Sequence, residues 1–156
     1  MILRTCLALL LGLFLLVPAP AIALDFNKEI LIGQDFSGRD LSDASFTKSN
    51  IREADFRDAT LIGVSFFGAN LESTNLANAD LRGAILDSAR MTNANLDGAR
   101  LEGAYAFATL FGGASIVGAD FTDVLMREDA QELLCKVASG INPMTGRATR
   151  DTLNCD

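Results

Sequence analysis

From Phe36 onward the chain repeats every five residues. Phe36, Leu41, Phe46, Ile51, Phe56, Leu61, Phe66, Leu71, Leu76, Leu81, Leu86, Met91, Leu96, Leu101, Ala106, Phe111, Ile116, Phe121 and Met126 form one column, large and apolar at every position but Ala106. Two residues before each lies a second column, small after Gln34 and Arg39 and dominated by Ala. The other three positions of each unit are mostly polar residues or Gly. A period of five fits neither an α-helix nor a plain strand. The small and large residues are two apart, however, which places both on one side of a short extended segment. Gly63, Gly68, Gly83, Gly98, Gly103, Gly113 and Gly118 all fall two places after a centre, where a type II turn needs positive φ. Each unit therefore predicts one short extended side followed by a corner. Such a coil buries nothing alone, so its core forms by stacking.

The repeat runs over residues 34–128, and solenoid ends need covers. Residues 24–33, with Phe26, Ile30 and Leu31, are expected to cap the front. Asp129 to Val137 predicts a short helix, its apolar side made by Leu133, Leu134 and Val137. Ser139-Gly140 is expected to end it, and Asn142-Pro143 and Thr145-Gly146 mark turns in a tail that completes residues 129–156. Residues 1–23 have a different character: Arg4, an apolar run from Leu7 to Val17, then Ala19-Pro20-Ala21-Ile22-Ala23. That is the layout of a secretory leader cleaved after Ala23, with an uncleaved membrane anchor as the alternative, although the run is too short to span a bilayer comfortably.

The pattern breaks near Tyr105 to Gly112. Ala106 takes a centre slot between Tyr105 and Phe107. Ile85, Tyr105 and Leu125 stand just before centres, twenty residues apart, and Phe67 and Phe107 stand just after centres. Elsewhere such positions are mostly polar, so an apolar stripe carries information. Two readings stand: the tail or a register shift covers the stripe, or it docks a protein partner.

Composition narrows the chemistry. The chain has 156 residues, no His and no Trp. All 20 acidic residues lie at Asp25 or beyond, and one of the 13 basic residues, Arg4, precedes it, leaving −8 on residues 25–156. An acidic chain without a basic stripe does not fit phosphate-backbone binding. Without His, the commonest general base and zinc ligand are missing. No nucleophile elbow or phosphate loop is found, and pairs such as Asp55 and Asp58 fall on the repeat rather than in a cleft. No catalytic residue, cofactor, metal ligand or small-molecule substrate is expected. Export places Cys135 and Cys155 in an oxidising space, which pairs them in a disulfide; two buried free thiols are the alternative.

Ala79-Asp80-Leu81-Arg82-Gly83 and Ala94-Asn95-Leu96-Asp97-Gly98 resemble the repeat unit of the pentapeptide-repeat family. The resemblance implies an all-β fold, a right-handed quadrilateral parallel β-helix with four units per coil, here closed by a short C-terminal helical cap. The tail with Cys135 and Cys155 resembles exported, lumenal members of cyanobacteria and chloroplasts. This implies a non-catalytic scaffold or protein-interaction module in the thylakoid lumen, with the periplasm as alternative, and no membrane span once the leader is removed. The partner surface is expected at Phe67, Ile85, Tyr105, Phe107 and Leu125. Some family members mimic DNA and bind topoisomerases; the leader and the interrupting Arg52, Arg57, Arg82, Arg90 and Arg100 argue against that role.

Overall fold

A computed structural model describes residues 23–156; the leader expected over 1–23 lies outside them apart from Ala23. The chain winds as a parallel β-helix. Each residue before a centre bridges its equivalent twenty residues on, as in the series Asp25, Ser45, Ser65, Ile85, Tyr105 and Leu125. Backbone groups bond from coil to coil: the Phe36 N–H donates to the Asp55 carbonyl (2.7 Å), and the Asp55 N–H donates to the Gln34 carbonyl (2.9 Å).

Corners divide each coil into four sides. Every fifth residue from Lys28 to Asp123 has a φ between 56 and 72°. At each corner the N–H three residues past the first turn residue donates back to that residue's carbonyl, as from Ala84 to Leu81 (3.0 Å). Positive φ at the third turn residue with this bond is the type II signature. Glycine serves at some corners, while Lys, Asp, Asn, Ser, Glu and Ala108 take the strained conformation at others. Four corners within the twenty-residue bridge spacing make the coil quadrilateral.

Both inward columns are buried. Phe46, Phe56, Leu61, Leu81, Leu96 and Leu101 are fully enclosed, with alanines filling the neighbouring slots. Each such Leu or Phe contributes roughly 1.5–3 kcal/mol by transfer from water. Ser49 and Thr74 occupy small-column slots because each hydroxyl donates to the carbonyl three residues back, at 2.6 and 2.8 Å. The front half of the core is aromatic: Phe26 stacks on Phe46 (4.7 Å) and Phe46 on Phe66 (5.2 Å), with edge-on contacts between the columns.

The expected front cap is different. Residues 25–33 already run as coil, because Phe26 and Leu31 fall on the five-residue register and Asp25 and Ile30 bridge Ser45 and Asn50. Ile30 precedes a centre and therefore points outward, 75 % exposed, instead of plugging the end.

At the back, helix α1 spans Glu128–Cys135, with Glu128 and Asp129 in its first turn, where acids suit the helix dipole. It turns Leu134 inward and leaves Leu133 and Val137 exposed. The expected apolar side is thus corrected: Ala130, Leu134 and Ala138, four apart, face the core. The helix also ends at Cys135 rather than at Ser139-Gly140. A second helix, α2 (Thr149–Thr152), was not foreseen. These segments take over bonds a further coil would make. The Phe121 N–H donates to the Thr152 hydroxyl (3.1 Å), and the Gly118 N–H to the Ser139 carbonyl (2.8 Å). Cys135 and Cys155 form a disulfide that ties α1 to the end of the tail; closing a loop of this length is worth about 3 kcal/mol in the chain-entropy model.

Candidate interaction face

The first side of the barrel, centred on Phe26, Phe46, Phe66, Leu86, Ala106 and Met126, changes character along its length. Its early coils carry a polar ladder. Asn27 Oδ1 accepts from the Thr47 N–H (2.8 Å) and the Ser45 hydroxyl, and Thr47 meets the Ser65 hydroxyl at 3.0 Å. From Phe67 to Leu125 the same outward positions are apolar apart from Asp87. Ile85, Tyr105 and Leu125 are bridged in register. Phe67 and Phe107 lie one place beyond the centres of that side, with Asp87 between them in the column. Tyr105 is 48 % exposed, Phe107 62 % and Leu125 59 %. Asp87 does not break the patch with a loose charge, since its carboxylate accepts the Phe107 N–H at 2.7 Å.

In the structure the stripe is exposed rather than covered. The register does not shift: Ala106 keeps its inward slot and is fully buried. The tail lies elsewhere. Asn142 Nδ2 donates to the carbonyls of Gly98, Ala99 and Gly118, at 3.2, 3.2 and 2.9 Å, which fixes the tail at the corner between the third and fourth sides. Sequence reasoning missed Leu110 and Leu133, exposed apolar residues around the adjoining corner. Leu110 breaks a polar column formed by Asn50, Asn70 and Arg90, a signal visible only once the coil length is set.

The fourth side carries the charges. Asp80 pairs with Arg82 (2.6 Å), Arg100 with Glu102 (2.9 Å), and Arg147 of the tail with both Glu102 (3.0 Å) and Asp120 (2.7 Å). Burial pushes the Asp120 carboxyl up, but hydrogen bonds from Thr122, Thr145 and Arg147 outweigh it and hold the group below the usual range. Asp80 is governed likewise, burial being outweighed by bonds from Arg82 and attraction to Arg100. Asp120 and Glu102 clamp the tail, Asp80 is held by Arg82 and Arg100, and the interleaved arginines leave no continuous anionic stripe on this side. Among the described residues no three His, Cys, Asp or Glu side chains gather as a metal shell, and no helix is long and apolar enough to cross a membrane.

Comparison with known proteins supports this geometry. A family model described as pentapeptide repeats (8 copies) matches residues 31–63 and 65–103. A solved pentapeptide repeat protein from the Arabidopsis thaliana thylakoid lumen is 49 % identical, with a TM-score of 0.82, over 84 % of this chain and 91 % of that one. One from Nostoc is 29 % identical, with a TM-score of 0.54, over 66 % of this chain and 84 % of its own. The Arabidopsis chloroplast protein named thylakoid lumenal 15 kDa protein 1 is 60 % identical over 48 residues, which is 31 % of this chain and 21 % of that protein. Thylakoid lumenal protein TL20.3 of the same plant is 50 % identical over 44 residues, 28 % of this chain and 16 % of its own length. This chain thus matches only about a fifth or less of each curated relative. Both, like the first solved structure, are thylakoid lumenal proteins, from the compartment anticipated for this sequence. With the repeat running through its coils and a solved member matched over nearly its whole length, the chain belongs to the pentapeptide-repeat family.

Proposed function

We propose that this protein is a non-catalytic protein-interaction scaffold of the thylakoid lumen, a right-handed quadrilateral β-helix whose first side docks a partner through Phe67, Ile85, Tyr105, Phe107 and Leu125. One observation carries the reading: Ile85, Tyr105 and Leu125 form a bridged, exposed apolar column, flanked by exposed Phe67 and Phe107, that the chain's own tail leaves open. Exposed patches of this kind are typical of interaction sites. Stacked coils hold the patch rigid, so little order has to be imposed on this side when a partner binds. Tyr105 and Phe107 have the amphipathic, low-entropy character of interface anchors.

The test uses the immobilised protein and soluble lumenal extract. Tyr105→Ser combined with Phe107→Ser removes two anchors worth about 2 kcal/mol each at an interface. Retained partners should fall by at least an order of magnitude, while the melting transition stays near that of the parent. Equal retention by parent and variant would sink the proposal.

A further inference from the structure

We infer that the partner segment bound at this face is apolar and carries a carboxylate that pairs with Arg90; this rests on the docking role of the first side. Among the described residues the other arginines are engaged. Arg52, Arg57, Arg82, Arg100, Arg127 and Arg147 meet carboxylates. Arg39 lies over the Phe36 ring, and Arg150 donates to the Cys135 and Asp156 carbonyls. Among the described residues Arg90 has no carboxylate, aromatic or carbonyl partner and is exposed.

Its position gives that charge a direction. Arg90 is on the second side, one corner from Ile85, and bridges Leu110 in the next coil and Asn70 in the previous one. Ser88 at the corner and Thr92 beyond the centre are uncharged, and Glu72, the carboxylate of the previous coil on this side, meets Arg52. Asp87, across the corner, already accepts the Phe107 N–H. Above Arg90 the apolar surface continues from Phe107 through Ala108 and Leu110 into a groove of about 220 Å³, closed on its far side by Ala130 and Leu133 of α1 and by Arg127 and Asp129, which pair with each other at 3.2 Å. A segment lying along Leu125, Tyr105 and Phe107 and turning this corner meets the aliphatic wall of that groove, at Ala108, Leu110, Ala130 and Leu133, and an unpaired cation. Aliphatic or aromatic side chains beside an Asp, a Glu or a terminal carboxylate complement all three features.

A random peptide library displayed on phage, selected on the purified protein, tests this directly. Enriched sequences should combine aliphatic or aromatic residues with an acidic one. One enriched peptide, synthesised with its acid and again with Lys in that place, should bind the parent more tightly in the acidic form. The difference should be about tenfold, the size of one charge-assisted hydrogen bond. Arg90→Glu should reverse that preference, Arg90→Lys should keep it, and Phe107→Ser should weaken both forms. The exposed Arg90 side chain makes no hydrogen bond or ion pair within the fold, so each Arg90 variant should melt close to the parent. Peptides lost with Phe107→Ser but indifferent to Arg90→Glu would overturn the acidic partner and leave the docking face standing. Self-association through the face, binding to phosphatidylcholine vesicles instead of peptides, or no enrichment at all would overturn both.

Discussion

At a corner, a single residue must reverse the chain in the left-handed region, and there the presence of a Cβ is felt directly. Gly83 and Gly118 separate the two ways in which this costs. A Cβ at Gly83 would meet nothing within 4 Å, so only its φ of +64° opposes Ala. Gly83→Ala should therefore destabilise by about 1 kcal/mol. At Gly118 the same Cβ would lie 2.9 Å from the Ile141 carbonyl oxygen, a backbone atom that cannot rotate away. Gly118→Ala should cost roughly 2–3 kcal/mol, because left-handed strain and displacement of the tail add. Urea melts of the two variants check the order. Equal midpoints would mean that the tail does not pack on this corner.

The element that matters most to the ends of the barrel is the tail with its two short helices. A solenoid terminates badly, because its last coil leaves N–H and carbonyl groups pointing at water or at nothing. Here Asn142 spans two coils with one amide group. Its Nδ2 donates to carbonyls from both, while its Oδ1 accepts the N–H groups of Met144 (2.9 Å) and Thr145 (3.0 Å). Asn142→Ala removes the whole set from a buried position, so a loss of about 2–3 kcal/mol is expected in denaturant melts. Native-state hydrogen exchange should locate the loss. Amides near Gly118 should exchange faster, whereas those of the Phe46 and Phe56 coils stay protected. Uniform loss along the barrel would contradict a locally docked tail.

For the molecule as a whole, the absence of His and the set of depressed carboxyls fix the shape of the stability–pH curve. Hydrogen bonds from Ser37 and Ser42 hold Asp35 and Asp40 low, and bonding to Arg57 does the same for Asp55. Asp80 and Asp120 are also held low, although burial opposes it. Each group keeps its charge to lower pH when folded than when unfolded. Its stabilisation is therefore complete above the unfolded value of about 3.9 and disappears as pH falls through the folded value. Stability should be nearly flat from neutral pH down to about 5, then drop steeply below about 4. Asp120→Asn should lower the plateau and shallow the acid limb, since Arg147 and Thr145 then lose a charged partner. An inflection between pH 5 and 7 in thermal melts would show that another group governs the curve.

The five-residue register, the inward columns and the outward polarity of each side were legible in the sequence, because they follow from local alternation and from which residues tolerate a corner. Leu81 is inward and Asp80 outward whatever the coil length. The pairing of Ile85 with Tyr105 and Leu125 is not local: it depends on the chain returning after twenty residues, a closure that periodicity cannot count and that family likeness supplied. The same closure turned Phe26 and Leu31 from an imagined plug into part of the first coil. Helix α1 shows the limit most clearly. Its spacing allows Leu133, Leu134 and Val137 to share one side, yet the open end of the last coil accepts Ala130, Leu134 and Ala138, so Leu133 and Val137 remain in water. Asn142 and Asp120, far apart in sequence, became the clamp that draws the tail onto the corner beside the fourth side. Local chemistry set which residues turn inward, whereas the position of the tail, and with it the open apolar face, was decided by bonds between distant segments that exist only once the coils have stacked.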